Sequence, residues 1–109
     1  MTNVPRRGEL WWCDTDHHGR RPAVVLTRDT AIPRLGRTLV ALCTTTVRGL
    51  DSEVLLEPGE DPVPALTVVN LDSIQSADIS DLVQRMGRLS HVRMQEVCAA
   101  LQVAVGCSP

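Results

Sequence analysis

HHGRRPAVVLT, residues 17–27, joins a polar, basic turn to an apolar run, and its reading decides how the rest of the chain folds. Ala23, Val24, Val25 and Leu26 follow one another without alternation, the pattern of a strand buried on both faces. Pro22 fits the first residue of such a strand, where its missing N–H costs least. Arg21, just before it, is biased towards extended backbone. The expectation is a strand over 22–27 entered through a fixed arginine. The residues ahead of Pro22 admit a solvated turn, a metal site or a place that holds phosphate. On spacing alone, the plainer reading of Arg21 is an ion pair with Asp14 or Asp16 across a hairpin.

Outward from this stretch the chain reads as short strands. GELWWCD (8–14) precedes it, and TLVALCTT (38–45), SEVLLEP (52–58), ALTVVNLDSIQ (65–75) and VQRMGRL (83–89) follow. TAIPRLGR (30–37) is turn-like with a single helical turn, and EDPVP (60–64) is a loop. The period then changes. In SHVRMQEVCAALQVAVG (90–106), Met94, Val97, Cys98, Leu101, Ala104 and Val105 fall on one helical face. Ser90 is suited to the N-cap, Leu89 and Met94 to a hydrophobic staple, and Gly106 to the position after the helix. Six short strands and a terminal helix predict one domain over 1–109, mainly β with a compact barrel-like sheet.

The 109 residues include no Phe, no Tyr and only two Trp, so aliphatic side chains must fill the core. A core this small gains from burying a further face in a dimer. The net charge of −2 is unevenly spread. Residues 1–50 carry eight arginines against four acids, a balance of +4, and residues 51–109 carry three against nine, a balance of −6. Lysine is absent, and the guanidinium fork suits phosphate oxygens. Cys13, Cys43, Cys98 and Cys107 form no C-x-x-C pair and no zinc spacing; the first three read as core thiols. The N-terminus shows no apolar leader and no run is long enough to span a membrane, so a cytoplasmic protein with reduced thiols is expected.

No Gly-rich phosphate loop, nucleophile elbow or H-E-x-x-H helix is present. Two clusters remain. In DTDHHGRRP (14–22), His17 and His18 lack further ligands, so a turn is favoured over a metal site, and they stay candidate proton carriers near neutral pH. In CTTTVRG (43–49), Thr44, Thr45 and Thr46 suit a strand end by propensity and, with Arg48, also form a set of phosphate-oxygen donors.

RRGELWWCD, GRRPAVVLTRD, TLVALCTT, VNLDSIQS and RMGRLS, in this order across residues 6–106, resemble the MazF/PemK endoribonuclease toxins. The resemblance implies an SH3-like small β-barrel of the plasmid-maintenance toxin type with a C-terminal helix, working as a homodimer. It implies cofactor-free, metal-independent cleavage of single-stranded RNA at a short sequence, with mRNA foremost and tRNA or rRNA as further candidates. The 2′-OH would attack, leaving a 2′,3′-cyclic phosphate and a 5′-OH, and a cognate antitoxin would neutralise the enzyme. Matched residue by residue, Arg21 and Thr44 are the expected catalytic pair; Arg20, Thr45, Thr46 and Arg48, donors close to them in sequence, are the expected RNA contacts. The chain departs from the family in its first loop, where TDHHG replaces a longer segment containing an acid; His17 or His18 would then take over proton transfer or RNA contact. Two other readings stay open: a relative that binds a protein target such as DNA gyrase, and a catalytically degenerate binding module.

Overall fold

The computed structural model describes residues 4–17 and 19–107. The strands expected from the apolar runs form as β1 (Glu9–Thr15), β2 (Gly19–Val25), β3 (Arg37–Thr44), β4 (Glu53–Leu56), β5 (Thr67–Asp78) and β6 (Leu82–Arg88). One turn of helix, α1 (Ile32–Leu35), sits in the 30–37 segment, and α2 (His91–Val105) closes the chain. All strand pairs are antiparallel, in the order β4-β5-β3-β2-β1-β6. The sheet curls into a half-barrel whose edges are β4 and β6.

Both faces of the central strands are buried, as the unbroken run in β2 predicts. Leu10, Val24, Ala41, Val69 and Leu71 meet Met94, Val97 and Ala100 of α2 on one face. Trp11, Ala23, Val25, Val40 and Leu42 pack with Ile32 on the other. This alternation fixes the register, because a slip of one residue would exchange the two faces.

The strand limits differ from expectation at one place that matters. β2 begins at Gly19, so Pro22 is its fourth residue, not its first. It is tolerated there because the ladder to β3 starts only at Ala23↔Leu42, and Pro22 pairs with Trp12 of β1 alone. α2 follows its predicted caps: Ser90 Oγ accepts from the N–H of Arg93 (3.1 Å), and Gly106 adopts φ 72° after the last turn. Its buried face is Met94, Val97 and Ala100, with Leu101 and Ala104 part-buried. Val105, expected on that face, is 58% exposed, since the helix outruns the sheet it packs on.

Two part-buried ion-pair systems brace the fold near its two ends. Arg93 of α2 reaches Asp61 (3.1 Å), Glu96 (2.9 Å) and Glu60 (3.1 Å), clamping the 57–63 loop against the helix. Glu9 of β1 accepts from Arg85 Nε (2.6 Å), Trp11 Nε1 (3.1 Å) and the N–H of Arg6 (2.8 Å). Burial alone would push the Glu9 carboxyl up. The hydrogen bonds from Arg85, Trp11 and Arg6, with the Arg85 charge, outweigh it and hold the carboxyl below its ordinary 4.5.

A carboxylate with a lowered pKa adds stability that is full above its unfolded value and lost as pH falls through its folded one. Glu9→Gln is therefore expected to lower the urea midpoint near neutral pH and to flatten its decline in acid, measured from about pH 7 to about pH 3. Gly87 of β6 offers a second check, since a Cβ there would lie 2.4 Å from Pro62 Cβ. Gly87→Ala is expected to cost about 1–3 kcal/mol of stability by overpacking, read from denaturant titration.

Candidate functional site

The site follows from where β2 leaves β3. The β1–β2 hairpin continues from Leu10↔Val24 to Thr15↔Gly19, and the β3–β5 ribbon continues to Thr44↔Val68. Between them the β2–β3 ladder holds only Ala23–Val25 against Val40–Leu42. Beyond it the two ribbons diverge. Arg20, Arg21 and Pro22 stand on one bank, and Cys43, Thr44 and Thr45 on the other.

Two cavities occupy the gap. One, of about 220 Å³, is lined by Arg20, Arg21, Pro22, Cys43, Thr44, Thr45 and Thr67. The other, of about 210 Å³, is lined by Arg21, Leu42, Cys43, Thr44, Arg48, Asn70 and Ser73. Arg21, Cys43 and Thr44 belong to both, so the two form one cleft with these residues at its middle.

The ion pair read for Arg21 goes to its neighbour instead: Arg20 Nε meets Asp14 Oδ1 at 3.0 Å. Among the described residues no carboxylate pairs with Arg21 or Arg48. Two permanent cations thus face the cleft without a counter-ion among those residues. The Thr44 hydroxyl accepts from the N–H of Thr46 (3.2 Å), which leaves its own proton free to donate into the cleft. Cys43 lies beneath, fully buried. Burial pushes its thiol up to about 12, against the opposing pull of the Arg21 charge. At neutral pH it is a neutral, inert floor.

Of the residues singled out from sequence, Arg20, Arg21, Thr44, Thr45 and Arg48 therefore meet in the cleft. Thr46 is exposed and lines neither cavity; it enters only through its backbone bond to Thr44. His17 is exposed in the three-residue turn between Thr15 and Gly19 and also lines neither cavity. His18 lies outside the described residues. Among the described residues no group of three or more His, Cys, Asp or Glu is placed to hold a metal ion. Thr67, Asn70 and Ser73 were missed. The signal for Asn70 and Ser73 was the polar break in VNLDSIQ, where Asn70, Asp72 and Ser73 interrupt the apolar run; Thr67 had none.

The model of the PemK-like, MazF-like toxins of type II toxin–antitoxin systems matches residues 6–105. The chain belongs to this family. It is 61% identical over 108 residues to the "Probable endoribonuclease MazF5" of Mycobacterium tuberculosis (strain ATCC 25618 / H37Rv), covering 99% of each chain. Among solved structures it is similar to the "Mycobacterium tuberculosis toxin MazF-mt6", with a TM-score of 0.84, 29% identity and coverage of 93% and 99% of the two chains. It shares its fold with an "Endoribonuclease in complex with its cognate antitoxin from Mycobacterial species", with a TM-score of 0.86, 24% identity and coverage of 96% and 98%. The half-barrel with one long terminal helix is thus the family's fold. No helix among the described residues is long and apolar enough to cross a membrane.

Proposed function

We propose that this toxin is an endoribonuclease that cuts single-stranded RNA at a short sequence in the Arg21–Thr44 cleft. The observation that carries this reading is the pair of unneutralised guanidiniums, Arg21 and Arg48, facing a hydroxyl donor across a gap between strands. Such a set fits a phosphate, which accepts from every one of these groups.

RNA carries its own nucleophile. The 2′-oxygen attacks the adjacent phosphorus and loses its proton to a base. The bond from phosphorus to the 5′-oxygen breaks, and that oxygen takes up a proton. The products are a 2′,3′-cyclic phosphate and a 5′-OH. Negative charge grows on the non-bridging oxygens, where Arg21 supplies a fixed positive fork and Thr44 a neutral donor. These groups meet the demand for charge stabilisation without a metal ion. Arg20, Thr45 and Arg48 hold neighbouring phosphates, and Thr46 serves only to orient the Thr44 hydroxyl. Arginine is a poor base, and His17, exposed and lining neither cavity, would have to reach the cleft to carry a proton; His17 and His18 are therefore tested directly.

The experiment is incubation of purified protein with single-stranded RNA in EDTA. Defined fragments ending in cyclic phosphate are expected. Arg21→Ala and Thr44→Val are each expected to lose about 100- to 1,000-fold in rate, the loss typical of one oxyanion donor. Replacing both histidines by alanine is expected to shift the pH–rate profile, and an unchanged profile removes them from the mechanism. Intact RNA together with inhibited DNA supercoiling overturns the nuclease reading in favour of a gyrase-binding one.

The same reading includes a cytoplasmic homodimer held by an antitoxin, as the family's description as toxins of toxin–antitoxin systems suggests. Val92, Val103 and Val105 of α2 are 55–64% exposed, apolar surface that a second copy could cover. Light scattering is expected to give twice the 11.9 kDa chain mass, and a monomer mass at micromolar concentration counts against the dimer.

A further inference from the structure

The second cavity holds a group that the cleavage chemistry does not use. Between Ala41↔Ile74 and Cys43↔Val69 the β3–β5 register slips, so that Asn70–Ser73 arch out opposite the single residue Leu42. Bulges re-aim side chains and recur beside active sites. This one is fixed from below, where Leu71 N donates to Ser52 O (3.0 Å) and Ser52 Oγ donates to Asp72 Oδ2 (2.5 Å). Above, the N–H of Asp72 donates to Asn70 Oδ1 (2.9 Å), and Asn70 Nδ2 donates to Ser73 Oγ (3.3 Å).

These bonds determine what the arch can offer. A backbone N–H only donates, so the atom facing Asp72 N must be the amide oxygen, and the orientation of Asn70 is forced. One lone pair of that oxygen is taken, and the bond holds the oxygen against the backbone. The second Nδ2 hydrogen of Asn70 and the hydroxyl proton of Ser73 remain to donate. Both residues line the cavity with Arg21, Thr44 and Arg48. Each of these five side chains has a proton to donate, and the arginines have no acceptor at all.

We propose that Asn70 is a specificity-determining residue: it turns an amide donor to the exocyclic group of one base beside the scissile phosphate and selects a keto base, uracil or guanine, over an amino base, adenine or cytosine. The proposal rests on the nuclease reading above. Unstacked bases in single-stranded RNA are read on their exposed edges. An amide that recognises adenine uses both its ends, accepting from N6 and donating to N7. In Asn70 the accepting end is held on Asp72 N, so the donating end is the one offered to the cavity. At the exocyclic position uracil and guanine carry a carbonyl oxygen, which fits; adenine and cytosine carry an amine there, which meets a donor.

The test is cleavage of an RNA library randomised around the cut, in EDTA, with the cut ends sequenced. It compares the wild type with Asn70→Ala, Asn70→Asp and Ser73→Ala. The wild type is expected to discriminate against adenine and cytosine at one position by about tenfold or more. Asn70→Ala should lose that discrimination at that position alone. Asn70→Asp keeps one oxygen for Asp72 N and turns an acceptor into the cavity, so preference at that position should move towards adenine or cytosine. Each ratio is internal to one variant, so a slow enzyme still reports. Should both Asn70 variants be inactive, Ser73→Ala decides, since it removes one donor and leaves the Asp72–Asn70 bond in place; partial relaxation at the same position supports the proposal. An unchanged base profile in the active variants, or selectivity lost evenly at all positions, overturns it. Wild-type protein that cuts no RNA is a different outcome, because then the nuclease reading itself fails.

Discussion

The architecture of the site depends on the point at which β2 parts from β3. Up to Ala23↔Leu42 the two strands share a ladder and both faces are buried by aliphatic side chains. One residue later Pro22 has no N–H to offer, and no further pairing to β3 forms. A strand that continued to pair would bring Arg21 level with Thr44 within the sheet and close the gap. Because the strands separate instead, their backbones stay open to solvent, as unpaired peptide groups require. The cleft is the consequence, and the rigid core on both sides of the fork holds its two banks at a fixed spacing.

Charge is sorted by the same fold. The acidic second half of the chain spends much of its carboxylate on internal ties: Asp61, Glu60 and Glu96 on Arg93, Asp78 on Arg37, and Asp72 on Ser52. Glu53 is turned inwards, its Oε1 accepting from the N–H groups of Arg48 and Leu50. These bonds matter less for their individual strength than for where they leave the remaining charge. Arg21 and Arg48 face the cleft without a carboxylate among the described residues, so a protein of net charge −2 presents a locally cationic surface. Net charge and the charge at a site are separate quantities, and only the second bears on phosphate.

Much of this was legible in the sequence. The double burial of β2 was written in Ala23-Val24-Val25, the helix caps in Ser90 and Gly106, and the meeting of Arg21 with Thr44 in family motifs that appear in the right order. What could not be read was long-range. The length of the β2–β3 ladder is set by how two hairpins splay, which no local pattern encodes. The Asn70–Ser73 arch hides inside an apparently continuous strand pattern, because its cause is a contact with Ser52 about twenty residues away. Val105 misled for a related reason: helical periodicity identifies a face but not where the sheet beneath it ends.

The short first turn and the arch bear on one another. Three residues, Asp16 to His18, link β1 to β2, and His17 points to neither cavity. The resemblance to the MazF/PemK pattern implies a longer loop here, and this chain has only three residues between the two strands. The bank formed by β1 and β2 offers Arg20, Arg21 and Pro22 to the cleft. The opposite bank is internally braced, with its polar groups locked by Asp72 and Ser52. Recognition needs groups whose own positions are held by a second layer of bonds. In this molecule the groups braced in this way lie on β5, beside the Thr44 hydroxyl and across the gap from Arg21.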